Sequence, residues 1–170
     1  KEAVSLLSKE KKFNVVGVDS LTGLSSMALD ELKLDPKIVN SKNGFMLYQE
    51  IADYLKEVFF GLKMMDAHIV WTAHMKVPTG LPAGLEMFVP AADGNVFSKG
   101  LNGWTDIVGC LKKEDNSERK LLIEPRAGYA CKNRFPIGTE IPNDGVLFGK
   151  DVSISVLFKM AGVSKEVNNG

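Results

Sequence analysis

The sequence predicts a single α/β domain, residues 1–170, with a parallel or mixed sheet. Three observations predict it. Residues 15–18 and 68–72 are short, apolar and rich in β-branched side chains, the pattern of strands buried on both faces. Between them, Phe45, Leu47, Ile51, Leu55, Val58, Phe59 and Leu62 recur at helical spacing. In the second half, four apolar or mixed segments are divided by turn-rich stretches such as "KKEDNSE" and "PIGTEIPNDG", which reads as strands joined by turns.

Residues 2–12 read as the tail of an amphipathic helix with Ala3, Val4, Leu6 and Leu7 on one side. The chain opens on Lys1 and not Met, so a preceding segment is expected. The run "NVVGVDS" turns abruptly from apolar to polar at Asp19 and Ser20. A short helix is expected over residues 25–33, ending before Pro36, and a long one over 45–62 with residues 41–44 as its entry. Then comes "HIVWT", closing on Ala73 and His74. Strand, helix, strand implies a right-handed crossover, so the two strands should be parallel, near neighbours, and end on one edge of the sheet. Ligands of open α/β sheets bind outside the carboxyl ends of the strands, where Asp19, Ser20 and His74 should meet. Residues 75–103, with several Gly and Pro and little periodicity, read as a mobile loop. Strands are expected at 106–111, 120–124, 129–133 and 152–158.

Composition excludes several classes. Lys plus Arg and Asp plus Glu each number 21, so the formal charge is zero and no global field recruits nucleic acid or an anionic membrane. No apolar run approaches the roughly 20 residues a membrane helix needs. Cys110 and Cys131 are too few for a disulfide framework and fit no zinc spacing; two small apolar fillers in a reducing cytoplasm is the simplest reading. His68 and His74 add no recognisable metal pattern to them.

Four apolar residues ending in Asp suit magnesium–nucleotide chemistry, because a carboxylate at a strand end can hold a water of the ion's shell, and Ser20 can support that shell. Against this stands the common use of Asp at such a place as a helix cap or turn former.

The order of these elements, from about residue 13 to 158, resembles the core of RecA-type ATPases, in particular the compact phage-encoded proteins linked to single-strand annealing and recombination. "NVVGVDS" resembles their Walker B strand and "IVWTAH" the next strand, whose terminal polar residue senses the γ-phosphate. His74 stands in that place. The loop after it resembles the second DNA-contacting loop of the recombinases, and "GWTDIVGCL" the strand that follows. "YACKNRFP" resembles the K-x-[KR] element that such proteins insert into the nucleotide site of the adjacent subunit. The resemblance implies an α/β fold with a RecA-like three-layer core, its mostly parallel sheet extended by antiparallel strands, lacking the first P-loop βα unit. It further implies ATP and Mg2+ as cofactors, Asp19 and Ser20 at the ion, and Lys132 and Arg134 acting from a neighbour in a ring or filament. A solvated basic pair on an edge strand is the plain alternative for those two residues.

No G-x-x-x-x-G-K-[ST] occurs in the 170 residues, and no catalytic glutamate can be assigned. "GVLFGKD", residues 145–151, is one residue too short, carries Asp where Ser or Thr should stand, and is followed by an expected strand. Either an N-terminal portion carries the phosphate loop, or the chain does not hydrolyse ATP. Two further readings compete. "GVDSL" brushes against the GDSL hydrolase signature, with Ser20 as nucleophile and His74 as base, but that family's late D-x-x-H is absent. The segment 75–103, with Lys76, Phe88 and Lys99, and Trp104 just beyond it, could contact single-stranded DNA as a non-catalytic module, although Glu86 and Asp93 lie in the same segment.

Overall fold

The computed structural model describes residue 6 and residues 13–78, 87–93, 95–115, 117–126 and 128–163, with the backbone alone at 95, 96, 144 and 150. The amphipathic segment read at residues 2–12 lies, but for Leu6, outside the described residues. The chain divides into two compact units, Lys1–Pro82 with Phe88–Leu101, and Ala83–Met87 with Asn102–Gly170.

The first unit begins at strand β1, Val15–Val18, which pairs in parallel with β2, His68–Trp71, in the register Val15↔His68 to Val18↔Trp71. The chain between them is helical: α1 (Leu21–Leu32), α2 (Pro36–Val39) and α3 (Met46–Lys63). Each start has a local cause. The Ser20 hydroxyl accepts the Gly23 N–H at the head of α1. The Asp35 carboxylate accepts the Lys37 N–H, with Pro36 as the first residue of α2. Ahead of α3, Asn43 Oδ1 accepts the Phe45 N–H. The apolar stripe of α3 is buried as its spacing predicts: Ile51, Leu55, Val58, Phe59 and Leu62 are all nearly inaccessible. Val58 and Leu62 pack with Val16 of β1, and Ile69 and Trp71 of β2 lie against the same cluster. Phe59 stacks on Trp71, with ring centroids 5.6 Å apart, and meets Phe97 edge-on at 6.2 Å. Only Val16 of the pair is buried and Val15 is exposed, so the strands expected to be buried on both faces are covered chiefly on the α3 side.

Within the segment expected as a loop from 75 to 103, the described residues include two short strands and a helix. β3 (Met75–Lys76) pairs antiparallel with β4 (Val89–Pro90), and Asn95–Trp104 forms helix α4; residues 79–86 lie outside the described residues. Gly100 and Gly103 disguise the helix in the sequence. Burial of Phe97 and Leu101, four apart on one face, outweighs the low helical propensity of those glycines.

The second unit holds a three-stranded antiparallel sheet in the order β5 (Cys110–Lys113), β6 (Arg119–Leu122), β7 (Val146–Phe148). Cys110, Leu122, Cys131 and Val146 form its buried cluster, flanked by Tyr129 and Phe148. Two expectations are corrected here. Residues 129–133 make only isolated bridges, Arg126↔Tyr129 and Val108↔Lys132, and no continuous strand. Residues 152–158, read as a strand from their alternation, form helix α5 (Ile154–Met160), whose Ser153 cap accepts the Val156 N–H at 3.2 Å. The strand in this region is β7, within the rejected "GVLFGKD". The pairing balance also differs from the expectation: among the described residues only β1–β2 is parallel, and the other three pairings are antiparallel. The fold class is α/β.

Candidate functional site

Two clusters contain the residues singled out from the sequence, one in each unit. In the first, β1 and β2 run in parallel and therefore end at one edge, and the backbone beyond them is stapled. Thr72 N–H donates to Val18 C=O at 3.0 Å and Leu21 N–H to Thr72 C=O at 2.8 Å. This brings Asp19, on the turn after β1, against Thr72, just past β2, and the Thr72 hydroxyl donates to Asp19 Oδ1. The Asp19–Ser20 peptide is cis. Asp19 is exposed, so its carboxylate faces solvent at the strand edge.

Ser20 is the N-cap of α1, its Oγ accepting from Gly23 N–H at 3.1 Å, and among the described residues it has no hydrogen bond to His74. The cap anticipated as an alternative for Asp19 thus falls to its neighbour. His74 is exposed; its N–H donates to Thr22 Oγ1 at 3.0 Å and its C=O accepts from Ala91 N–H at 2.7 Å. Thr22 in turn donates to Ala91 C=O at 2.8 Å. Asp19 and His74 therefore both lie at the carboxyl edge of the parallel pair, as the crossover argument requires. Thr72 and Thr22 were not singled out from the sequence. Thr72 ends an apolar strand and Thr22 sits on an amphipathic helix, and only the pairing register reveals their partners.

Lys76 is half-buried. Its ammonium donates to Ala92 C=O, and burial pushes its pKa below the ordinary value, the Asp93 carboxylate opposing that shift. Asp93 is held by the fully buried Ser25, whose hydroxyl donates to Asp93 Oδ2 at 2.7 Å. Lys99 is exposed on α4.

In the second unit, Lys132 is half-buried, and its ammonium donates to Asn102 C=O and to Thr105 C=O, the latter at 2.6 Å. Arg134 is more open: Nη2 donates to Gly103 C=O at 3.0 Å and Nη1 reaches Asp106 Oδ1 at 3.4 Å. The two cations converge, two residues apart, on the C-terminal carbonyls of α4 and the turn after it, where positive charge is favoured.

The donor set at Asp19 can be tested against magnesium. Among the described residues no cluster of three or more His, Cys, Asp or Glu side chains could hold a metal by itself. One exposed carboxylate with hydroxyls beside it is what Mg2+ accepts, since that ion keeps several waters and takes its remaining oxygens from substrate phosphates. The residues present are compatible with the ion in that mode, in which Asp19 would hold a water of its shell. The region once compared with a phosphate loop does not fit: Gly145 has φ +83°, its Cβ position is filled by Glu124, and residues 146–148 are strand. Among the described residues, no helix is long and apolar enough to cross a membrane.

An α/β protein that gathers acid, hydroxyl and imidazole at the carboxyl ends of parallel strands has its polar residues where that class binds ligands. A family model described as an AAA domain matches residues 1–135, and the chain belongs to that family. AAA-type domains are nucleotide-binding, ATPase-like modules that generally take ATP with Mg2+. Neither the curated proteins nor the solved structures contain a match to the chain.

Proposed function

We propose that this chain works in a RecA-like, magnesium-dependent ATPase of phage-type DNA recombination or annealing, with a nucleotide site shared between subunits. The observation that carries the reading is the hydrogen-bonded Asp19–Thr72 pair at the carboxyl edge of two parallel strands, in a chain of the AAA domain family. Asp19 holds a water of the magnesium shell. Ser20 fixes the start of α1 directly behind that carboxylate. His74, tied through its backbone to Thr22, senses phosphate. Mg2+, when bound, would neutralise charge on the nucleotide phosphates. No G-x-x-x-x-G-K-[ST] occurs in the 170 residues, so in this reading the loop that cradles the phosphates is supplied from elsewhere.

Lys132 and Arg134 face their own backbone carbonyls, and Arg134 is the more readily released of the two because it is exposed and its acidic contact is long. Arg134 is therefore the residue that reaches a neighbouring subunit. The active form is a ring or filament in the cytoplasm, and single-stranded DNA is its partner, with Lys99, exposed on α4, better disposed to meet it than the inward-turned Lys76.

The test is ATP turnover by the full-length gene product. Asp19→Asn should lower magnesium-dependent turnover by about 10- to 100-fold, the usual loss when a group in the outer shell of an ion is removed. Undiminished turnover would refute the role of Asp19. Mixing the Asp19→Asn protein with an Arg134→Ala protein should restore part of the activity, because each supplies what the other lacks; a mixture as inactive as its components would refute the shared site.

A further inference from the structure

We infer that Thr72 is a positioning residue for Asp19: its hydroxyl holds one carboxylate oxygen so that the other faces the ion's water shell. The inference rests on the reading of Asp19 as a magnesium ligand through water, and adds a residue to it that no sequence motif marks.

The argument starts from what holds Thr72 itself. Its N–H and C=O are both engaged, with Val18 C=O and Leu21 N–H, so its backbone is fixed between the end of β1 and the start of α1. With the backbone fixed and a β-branched side chain limited to few rotamers, the hydroxyl has little freedom. It donates to Asp19 Oδ1, on the adjacent strand's end. A carboxylate on an exposed turn otherwise rotates freely about its terminal torsion, which is broad and nearly two-fold. A donor on one oxygen, even between two exposed side chains, favours one orientation of the carboxylate. An ion held only through waters is sensitive to such orientation, because the second oxygen must meet a water placed by the phosphates and not by the protein. Thr72 touches neither the ion nor the nucleotide in this scheme and acts only through Asp19.

Two substitutions separate the hydroxyl from the rest of the residue. Thr72→Val keeps the β-branched shape and both backbone bonds and removes the donor. Thr72→Ser keeps the donor. In the full-length protein, the Mn2+ concentration for half-saturation, followed by electron paramagnetic resonance with a non-hydrolysable ATP analogue present, should rise about 3- to 30-fold for Thr72→Val and stay near wild type for Thr72→Ser. Without nucleotide or metal, the carboxyl carbon resonance of Asp19 should move in Thr72→Val and not in Thr72→Ser. If Asp19→Asn weakens Mn2+ binding while Thr72→Val leaves both the binding curve and the resonance unchanged, the positioning role is wrong and the magnesium reading survives. If Asp19→Asn itself leaves Mn2+ binding intact, the magnesium reading fails and takes this inference with it.

Discussion

The β1–β2 edge and the Lys132–Arg134 cluster use their polar residues in different ways. At the β1–β2 edge, polar side chains meet one another, a neighbouring backbone N–H or a helix end: Thr72 with Asp19, Thr22 with the His74 N–H, Ser20 with Gly23 N–H. The carboxylate and imidazole themselves are left exposed. In the second unit, the cations Lys132 and Arg134 turn onto backbone carbonyls at the end of α4. The difference teaches where each set's energy goes. Positioning bonds that spare a solvent-facing group preserve it for a ligand, whereas a half-buried ammonium with two carbonyl acceptors contributes to stability first. The same contrast separates Arg134 from Lys132 within one cluster.

That contrast can be broken most sharply at Arg134 and Lys132. Arg134→Ala should cost about 10³- to 10⁵-fold in ATP turnover if the residue acts as a trans-acting finger, with little change in thermal midpoint. Lys132→Met should show the reverse emphasis, losing about 1 to 3 kcal/mol of stability because charged hydrogen bonds to α4 carbonyls are removed. Turnover assays paired with thermal unfolding check both. Equal loss of stability in the two variants would erase the distinction.

A smaller, local test compares the cores. Phe59 is buried against Trp71 and Phe97, so Phe59→Ala should cost about 3 to 5 kcal/mol. Hydrogen exchange should place the lost protection in α3 and β2 and leave β5–β7 nearly unchanged. Gly145→Ala should do the converse: φ +83° and the Glu124 side chain in the path of a Cβ strain the β6–β7 sheet, and protection should fall there first.

The smallest effect is a pH dependence confined to the second unit. Burial pushes the Cys131 thiol from 9.0 to about 11, the adjacent Cys110 thiol adding to the shift, while the Cys110 N–H, Lys112 and Arg126 oppose it. Cys110 is raised as well, mainly by burial. A raised pKa in the folded state means that this contribution is fully present below about pH 9 and is lost as pH rises toward 11. Denaturant unfolding between pH 8 and 11 should show that decline, and Cys131→Ala should flatten it. A slope unaffected by the substitution would assign alkaline instability elsewhere. Native-state alkylation at pH 8 should also be slow, in keeping with two buried, protonated thiols.

The sequence by itself determined the elements whose periodicity is unambiguous. The apolar run at 15–18, the stripe on 46–63 and the run at 68–71 read as a strand, a helix and a strand, and the crossover between them implied parallel strands, which pair directly. It also put Asp19 and His74 at one edge. Tertiary structure decided the rest. Residues 152–158 alternate like a strand yet form a helix, because a seven-residue pattern is too short to fix its own period and the Ser153 cap tips the balance. Residues 95–104 became helix through burial of Phe97 and Leu101 despite two glycines. Thr72, Thr22 and the inward turn of Lys76 were invisible in the sequence because each depends on a partner 16 to 69 residues away, and hydrogen bonds between such distant residues exist only once the register of strands and the packing of α1 have been set.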